Sequence, residues 1–192
     1  MKKVQVLQID LHSDLSSHTF REFPVSMLST SLVSPRLIVL KLRCISIKSR
    51  VGLEGLRLLR VLHLCDVGVD QKTFEELLSG CSLLMSLTLD SVHGVQYIAS
   101  KSSALTNLKV VSSKLSLDLS SLKLVSLVFD TEVSSIVFGD TQTLTYIGHR
   151  ALSSSCQLPR LRMLKGLSLQ LNCGTPDSVE NTFKMVISCL EL

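Results

Sequence analysis

The chain has 192 residues, 45% of them hydrophobic and 19% charged, with a formal net charge of +4. That apolar content fills a core and excludes a disordered chain, while so slight a positive excess, with no basic stripe interleaved with aromatics, does not point to nucleic acid. Aromatics make up only 4% and Trp is absent, so the core has to be aliphatic.

In chain order, the first element is a strand over residues 4–11. Val4-Gln5-Val6-Leu7-Gln8-Ile9-Asp10 alternates in strand fashion and carries a charge, so Met1-Lys2-Lys3 does not lead into the apolar centre of a signal peptide. A polar, Ser-rich stretch from Ser13 to Pro35 follows, with Phe20, Phe23, Pro24, Val25, Met27 and Leu28 as its apolar residues. It holds either one long structural unit or an insertion with a weaker unit inside. Residues 37–43 form a second strand, and Gly52 and Gly55 mark a loop before a third at 59–64.

Asp70 to Gly80 reads as a helix. Asp70 is placed to cap it, Phe74, Leu77 and Leu78 line one face, Cys81 extends that stripe, and Gly80 suits its end. In the repeats that follow Leu105 no such helical pattern returns. Ser112-Ser113-Lys114, Ser120-Ser121 and Thr131-Glu132-Val133-Ser134 predict short turns or 3₁₀ segments. Near the end, Thr175 and Pro176 begin another helix, with Val179, Phe183, Val186, Ile187 and Leu190 on one side.

One spacing joins these elements. L-x-x-L-x-L, or a close apolar variant, begins at Val4, Leu37, Leu59, Leu84, Leu105, Leu124, Leu144 and Leu164. The central residues are 7, 40, 62, 87, 108, 127, 147 and 167, in steps of 33, 22, 25, 21, 19, 20 and 20. After the first, these steps lie in or beside the leucine-rich-repeat range of roughly 20–29 residues. The expected fold is therefore an α/β leucine-rich-repeat solenoid. A curved parallel sheet lies on its concave side, with helices, 3₁₀ turns and loops on its convex side. Residues 1–192 read as a single domain of about eight units, with 175–191 as a C-terminal capping helix that covers the last repeat. The chain stops two residues past Leu190, which suggests a truncated solenoid.

In such a unit the spaced leucines point inward and the residues between them point out of the concave sheet. The expected partner-binding residues are Lys41, Arg43, His63, Thr88 and Asp90, then Lys109, Asp130, Tyr146 and Arg150. Both signs of charge occur, which suits a protein partner better than a polyanion. Catalytic signals are weak. The five histidines form no H-E-x-x-H, and neither G-x-S-x-G nor a P-loop is present. His63 near Cys65 offers only two ligands or one pair, so no catalytic residue, metal or cofactor is assigned. The six cysteines contain no C-x-x-C and read as reduced thiols of a cytoplasmic or nuclear protein. No segment approaches the roughly 18 apolar residues of a membrane span.

The stretch Thr73-Phe74-Glu75-Glu76-Leu77-Leu78-Ser79-Gly80-Cys81-Ser82-Leu83-Leu84-Met85-Ser86-Leu87-Thr88-Leu89 resembles a segment of plant F-box/leucine-rich-repeat proteins. Leu59-Arg60-Val61-Leu62-His63-Leu64 and Leu37-Ile38-Val39-Leu40-Lys41-Leu42 are similar to the segments before it. The resemblance covers residues 37–90, with Ser82 in place of the family's Pro, and only the repeat period persists from 95 to 175. It implies the substrate-recognition part of an SCF-type E3 ubiquitin ligase. In that family an N-terminal F-box binds a Skp-type adaptor and the repeats hold the substrate. This chain opens on a strand instead of a helical F-box, so adaptor binding is not expected of it. The alternatives are a leucine-rich-repeat segment of an intracellular plant immune receptor, a small enzyme built around His63 and Cys65, or a non-functional fragment.

Overall fold

A computed structural model describes residues 4–11, 21–24, 36–48, 56–99, 104–130, 135–138, 142–150, 163 and 165–170. Each L-x-x-L-x-L copy forms a strand, because period-two alternation buries one face and leaves the other to solvent. The strands are β1 (Val6–Asp10), β3 (Val39–Ile47), β4 (Val61–Val69), β5 (Ser86–His93), β7 (Asn107–Val111), β9 (Ser126–Asp130), β11 (Tyr146–Arg150) and β12 (Gly166–Gln170). They pair in that order, all parallel, in one sheet.

The register is set by the leucines. Leu7, Leu40, Leu62, Leu87, Leu108, Leu127, Ile147 and Leu167 are successive partners across the sheet. From Leu40 to Ile147 each is at most 2% exposed. A slip of one residue would turn this whole set to water, so the register is strongly specified. At the entrance of each strand one carbonyl accepts two successive N–H groups from the next repeat. Those of Ile38, Arg60, Met85, Thr106, Val125 and Thr145 do so in turn.

Leu7 pairs directly with Leu40, so the long first step is one repeat and not two. Within it β2 (Arg21–Glu22) adds alongside the far end of β3, and Phe23 is buried next to it.

The helix expected at 70–80 is α1 (Gln71–Gly80), between β4 and β5. Asp70 is its N-cap: its carboxylate accepts from the Thr73 N–H at 3.0 Å and the Thr73 hydroxyl at 2.6 Å. Phe74, Leu77 and Cys81 are buried beneath it. Asp70→Ala should cost about 1 kcal/mol, as N-cap removal commonly does, read as a lower urea midpoint at unchanged slope.

On the convex side of the later repeats Ser112 is a bend and Ser120–Ser121 a turn, as expected, while 131–134 lies outside the described residues. Beside these turns the convex side carries strands not foreseen from the sequence: β6 (Tyr97–Ala99), β8 (Ser116–Leu119) and β10 (Ser135–Phe138), a second parallel sheet in the order β10-β8-β6. The reason is the alternation of Leu115, Leu117 and Leu119, all buried, with the exposed or half-buried residues between them. Serine-rich flanks hide that alternation in the sequence. The shorter steps follow from geometry: a strand rises about 3.3 Å per residue and a helix 1.5 Å, so a strand needs fewer residues for the return path. Gln71 joins the two kinds of repeat. Its carboxamide accepts from the Gln96 N–H at 2.9 Å and donates to the Tyr97 carbonyl at 3.1 Å, and so occupies the edge of β6. The core lies between the two layers. The proposed capping helix at 175–191 lies outside the described residues.

Candidate functional site

Because the leucines fix the register, the residues between them also align. One outward row runs Gln8, Lys41, His63, Thr88, Lys109, Val128, Gly148 and Ser168. The next contains Asp10, Arg43, Cys65 and Asp90. The fold therefore gathers Lys41, Arg43, His63, Thr88, Asp90 and Lys109 into one patch on β3, β4, β5 and β7.

Tyr146 stands apart, in another row and two strands beyond Lys109. Its ring covers Gly166 so closely that an added Cβ would approach it to 2.9 Å. Asp130 and Arg150 are register partners on β9 and β11, while their side chains lie outside the described residues. Val111, grouped by alternation with Lys109 on the outward face, is only 4% exposed. It ends β7 just before a left-handed residue, where the chain turns away and simple alternation stops applying.

The electrostatics of the patch are uneven. Arg43 reaches Asp10 across the β1–β3 boundary at 3.6 Å. Lys41 and Lys109 are exposed, and no hydrogen bond or ion pair holds either among the described residues. His63 is half-buried between them, and burial, reinforced by Lys41, pushes its pKa below the usual imidazole value. Burial, with Asp90 next, pushes the Cys65 thiol up. Burial thus disfavours both the imidazolium and the thiolate, and with them the ion pair of an activated Cys–His nucleophile. Among the described residues no three His, Cys, Asp or Glu side chains are grouped to hold a metal ion.

Alternation missed two features. Cys44, Asp66, Ser91 and Ser112 all have φ between 50° and 55°, at the same place in four successive repeats. There the strands turn toward the convex side. The Cys44 thiol donates to the Asp66 carboxylate at 3.4 Å, and His93 lies 3.8 Å from the same carboxylate. The second feature is Ser113, which is 1% exposed. Its hydroxyl accepts from the Val92 N–H at 3.1 Å and donates to the Val111 carbonyl at 3.0 Å. It occupies the N/C position of the full L-x-x-L-x-L-x-x-N/C-x-L pattern, where Ile45, Val67 and Val92 stand in the earlier repeats. Reading the pattern past its sixth position would have found it.

The family model described as the At1g61320/AtMIF1 LRR domain matches residues 2–173. The chain belongs to the At1g61320/AtMIF1 leucine-rich-repeat domain family. No curated protein and no solved structure matches it. The match spans the whole ladder from β1 to β12 in this At1g61320/AtMIF1-type domain. Among its described residues no helix is long and apolar enough to cross a membrane.

Proposed function

We propose that this chain is a non-catalytic module that binds a protein partner on the open, concave face of its inner sheet. The observation that carries this reading is the alignment of polar side chains from distant repeats into rows at fixed strand spacing. Such a surface is rigid before binding, so little order has to be imposed on association. The mixture of Lys41, Arg43 and Lys109 with Asp10 and Asp90 suits a protein surface. The electrostatics of His63 and Cys65 argue against nucleophilic chemistry there.

The fuller form of the proposal is the substrate-recognition part of an SCF-type E3 ubiquitin ligase. Its support is the similarity of residues 37–90 to plant F-box/leucine-rich-repeat proteins. Contact with a Skp-type adaptor would need an F-box, so adaptor recruitment by residues 1–192 alone is not part of it. Three thiols, Cys44, Cys65 and Cys81, are free among the described residues, which suits the reducing cytoplasm or nucleus.

The test is capture of partners from cell extract by the parent chain and two variants. Thr88→Arg with Ser168→Arg crowds the open face, and Lys72→Glu alters the convex helix. The expected result is loss of specific partners in the first variant and retention in the second, with ubiquitin-ligase components co-purifying when an F-box-bearing form is used. Equal capture by all three would refute the open-face reading.

A further inference from the structure

Lys41 and Lys109 are the two cations of the outward row that no carboxylate holds among the described residues. They sit in register on β3 and β7, with His63 and Thr88 between them on β4 and β5. Three strand spacings of about 4.8 Å place them roughly 14 Å apart. An extended peptide rises about 3.4 Å per residue and returns its side chains to one face every second residue. Residues i and i+4 of such a peptide therefore face the same way at nearly the same separation.

From this match we infer that the row receives an extended acidic segment of a protein partner. The segment crosses the strands, with carboxylates at i and i+4 on Lys109 and Lys41 and a small polar residue at i+2 over His63 and Thr88. The inference rests on the open-face reading and specifies the chemistry of its partner. Each contact is a charge-assisted hydrogen bond at a partly exposed site. Arg43 is already engaged by Asp10, and Asp90 in the adjoining row disfavours a third carboxylate beside it.

His63 supplies a local reporter. It lies between the two lysines, and its pKa is lowered first by burial and then by Lys41 from β3, with Lys109 from β7 adding to this and Asp90 from β5 opposing it; Arg43 and Cys65 stand in the adjoining row. A segment seated on the lysines lies over this ring and changes its surroundings.

The test is an NMR titration of the full chain with the peptide Gly-Glu-Thr-Ser-Thr-Glu-Gly, against the same peptide with both Glu replaced by Gln. The expected result is saturable shifts centred on Lys41, His63, Thr88 and Lys109, with Kd about tenfold weaker in Lys41→Gln/Lys109→Gln. The His63 ring resonances should shift with the same saturation curve. Near-UV circular dichroism checks that the variants remain folded.

The inference is overturned if the Gln peptide binds as well, if the double variant binds unchanged, or if the Glu peptide gives no saturable shifts. It is also overturned if oligo-dT occupies these residues in preference to the peptide. A partner captured on the open face independently of the two lysines would refute this inference and leave the binding-module reading standing.

Discussion

Replacing Gly94 with Ala should destabilise the domain by about 3 kcal/mol or more, combining left-handed backbone strain with a steric clash. Gly94 has φ of +90°, where an L side chain is strained. A Cβ there would also lie 2.5 Å from the Val69 carbonyl oxygen and 3.2 Å from the Val69 carbonyl carbon. Neither is a flexible side-chain tip that can swing aside. Val69 ends β4 and Asp70 caps α1, so relieving the overlap means moving the start of the helix. Gly148→Ala is the contrast. Its new methyl would meet Val128 Cγ2 at 3.1 Å and the Tyr146 ring at 3.4 Å, both side-chain atoms on the open face. Urea unfolding of the two variants should give a large loss for Gly94 and under about 1 kcal/mol for Gly148. Losses of equal size would show that the approach of Gly94 to Val69 is not a constraint on the fold.

Leu87→Ala should cost about 3–4 kcal/mol, in the upper part of the range for emptying a fully buried leucine site. Leu87 is wholly buried, with Leu62 on one side in the register and Leu108 on the other. In a solenoid each repeat leans only on its neighbours, so a cavity in the middle also weakens the coupling between the two halves. Unfolding followed by tyrosine fluorescence has two reporters: Tyr97, whose hydroxyl donates to Glu75 of α1 and so reads the junction with the N-terminal repeats, and Tyr146 on β11, which reads the C-terminal ones. In the variant the two should separate into distinct transitions, seen by leaving one tyrosine at a time. The equivalent change at Leu167, which is only half-buried on β12, should cost about 1 kcal/mol and leave one transition. A single sharp transition of undiminished slope in Leu87→Ala would contradict the nearest-neighbour picture.

These predictions separate what was legible in the sequence from what was not. The sequence by itself determined the ladder. Side chains alternate with period two along a strand, so a leucine spacing that recurs every 19 to 25 residues after the first step specifies both the parallel sheet and its register. Asp70 and the Phe74, Leu77 and Cys81 stripe identified α1 in the same way, because capping and helical periodicity are local properties. The outward placement of Lys41, His63 and Lys109 followed as a corollary of the leucine positions. Only the tertiary structure decided the rest, since it depends on partners distant in the chain. Ser116-Leu117-Asp118-Leu119 is too short to declare itself a strand until Tyr97–Ala99 and Ser135–Phe138 lie beside it. Gln71 is an unremarkable helix residue until its carboxamide meets the edge of β6. Ser113 is one serine among many until the Val92 N–H, unable to reach water, requires an acceptor. Arg43 and Lys109 look alike as isolated cations. Packing the repeats brings Asp10 to the first and leaves the second facing solvent, because ion pairing across a solenoid is set by neighbouring repeats.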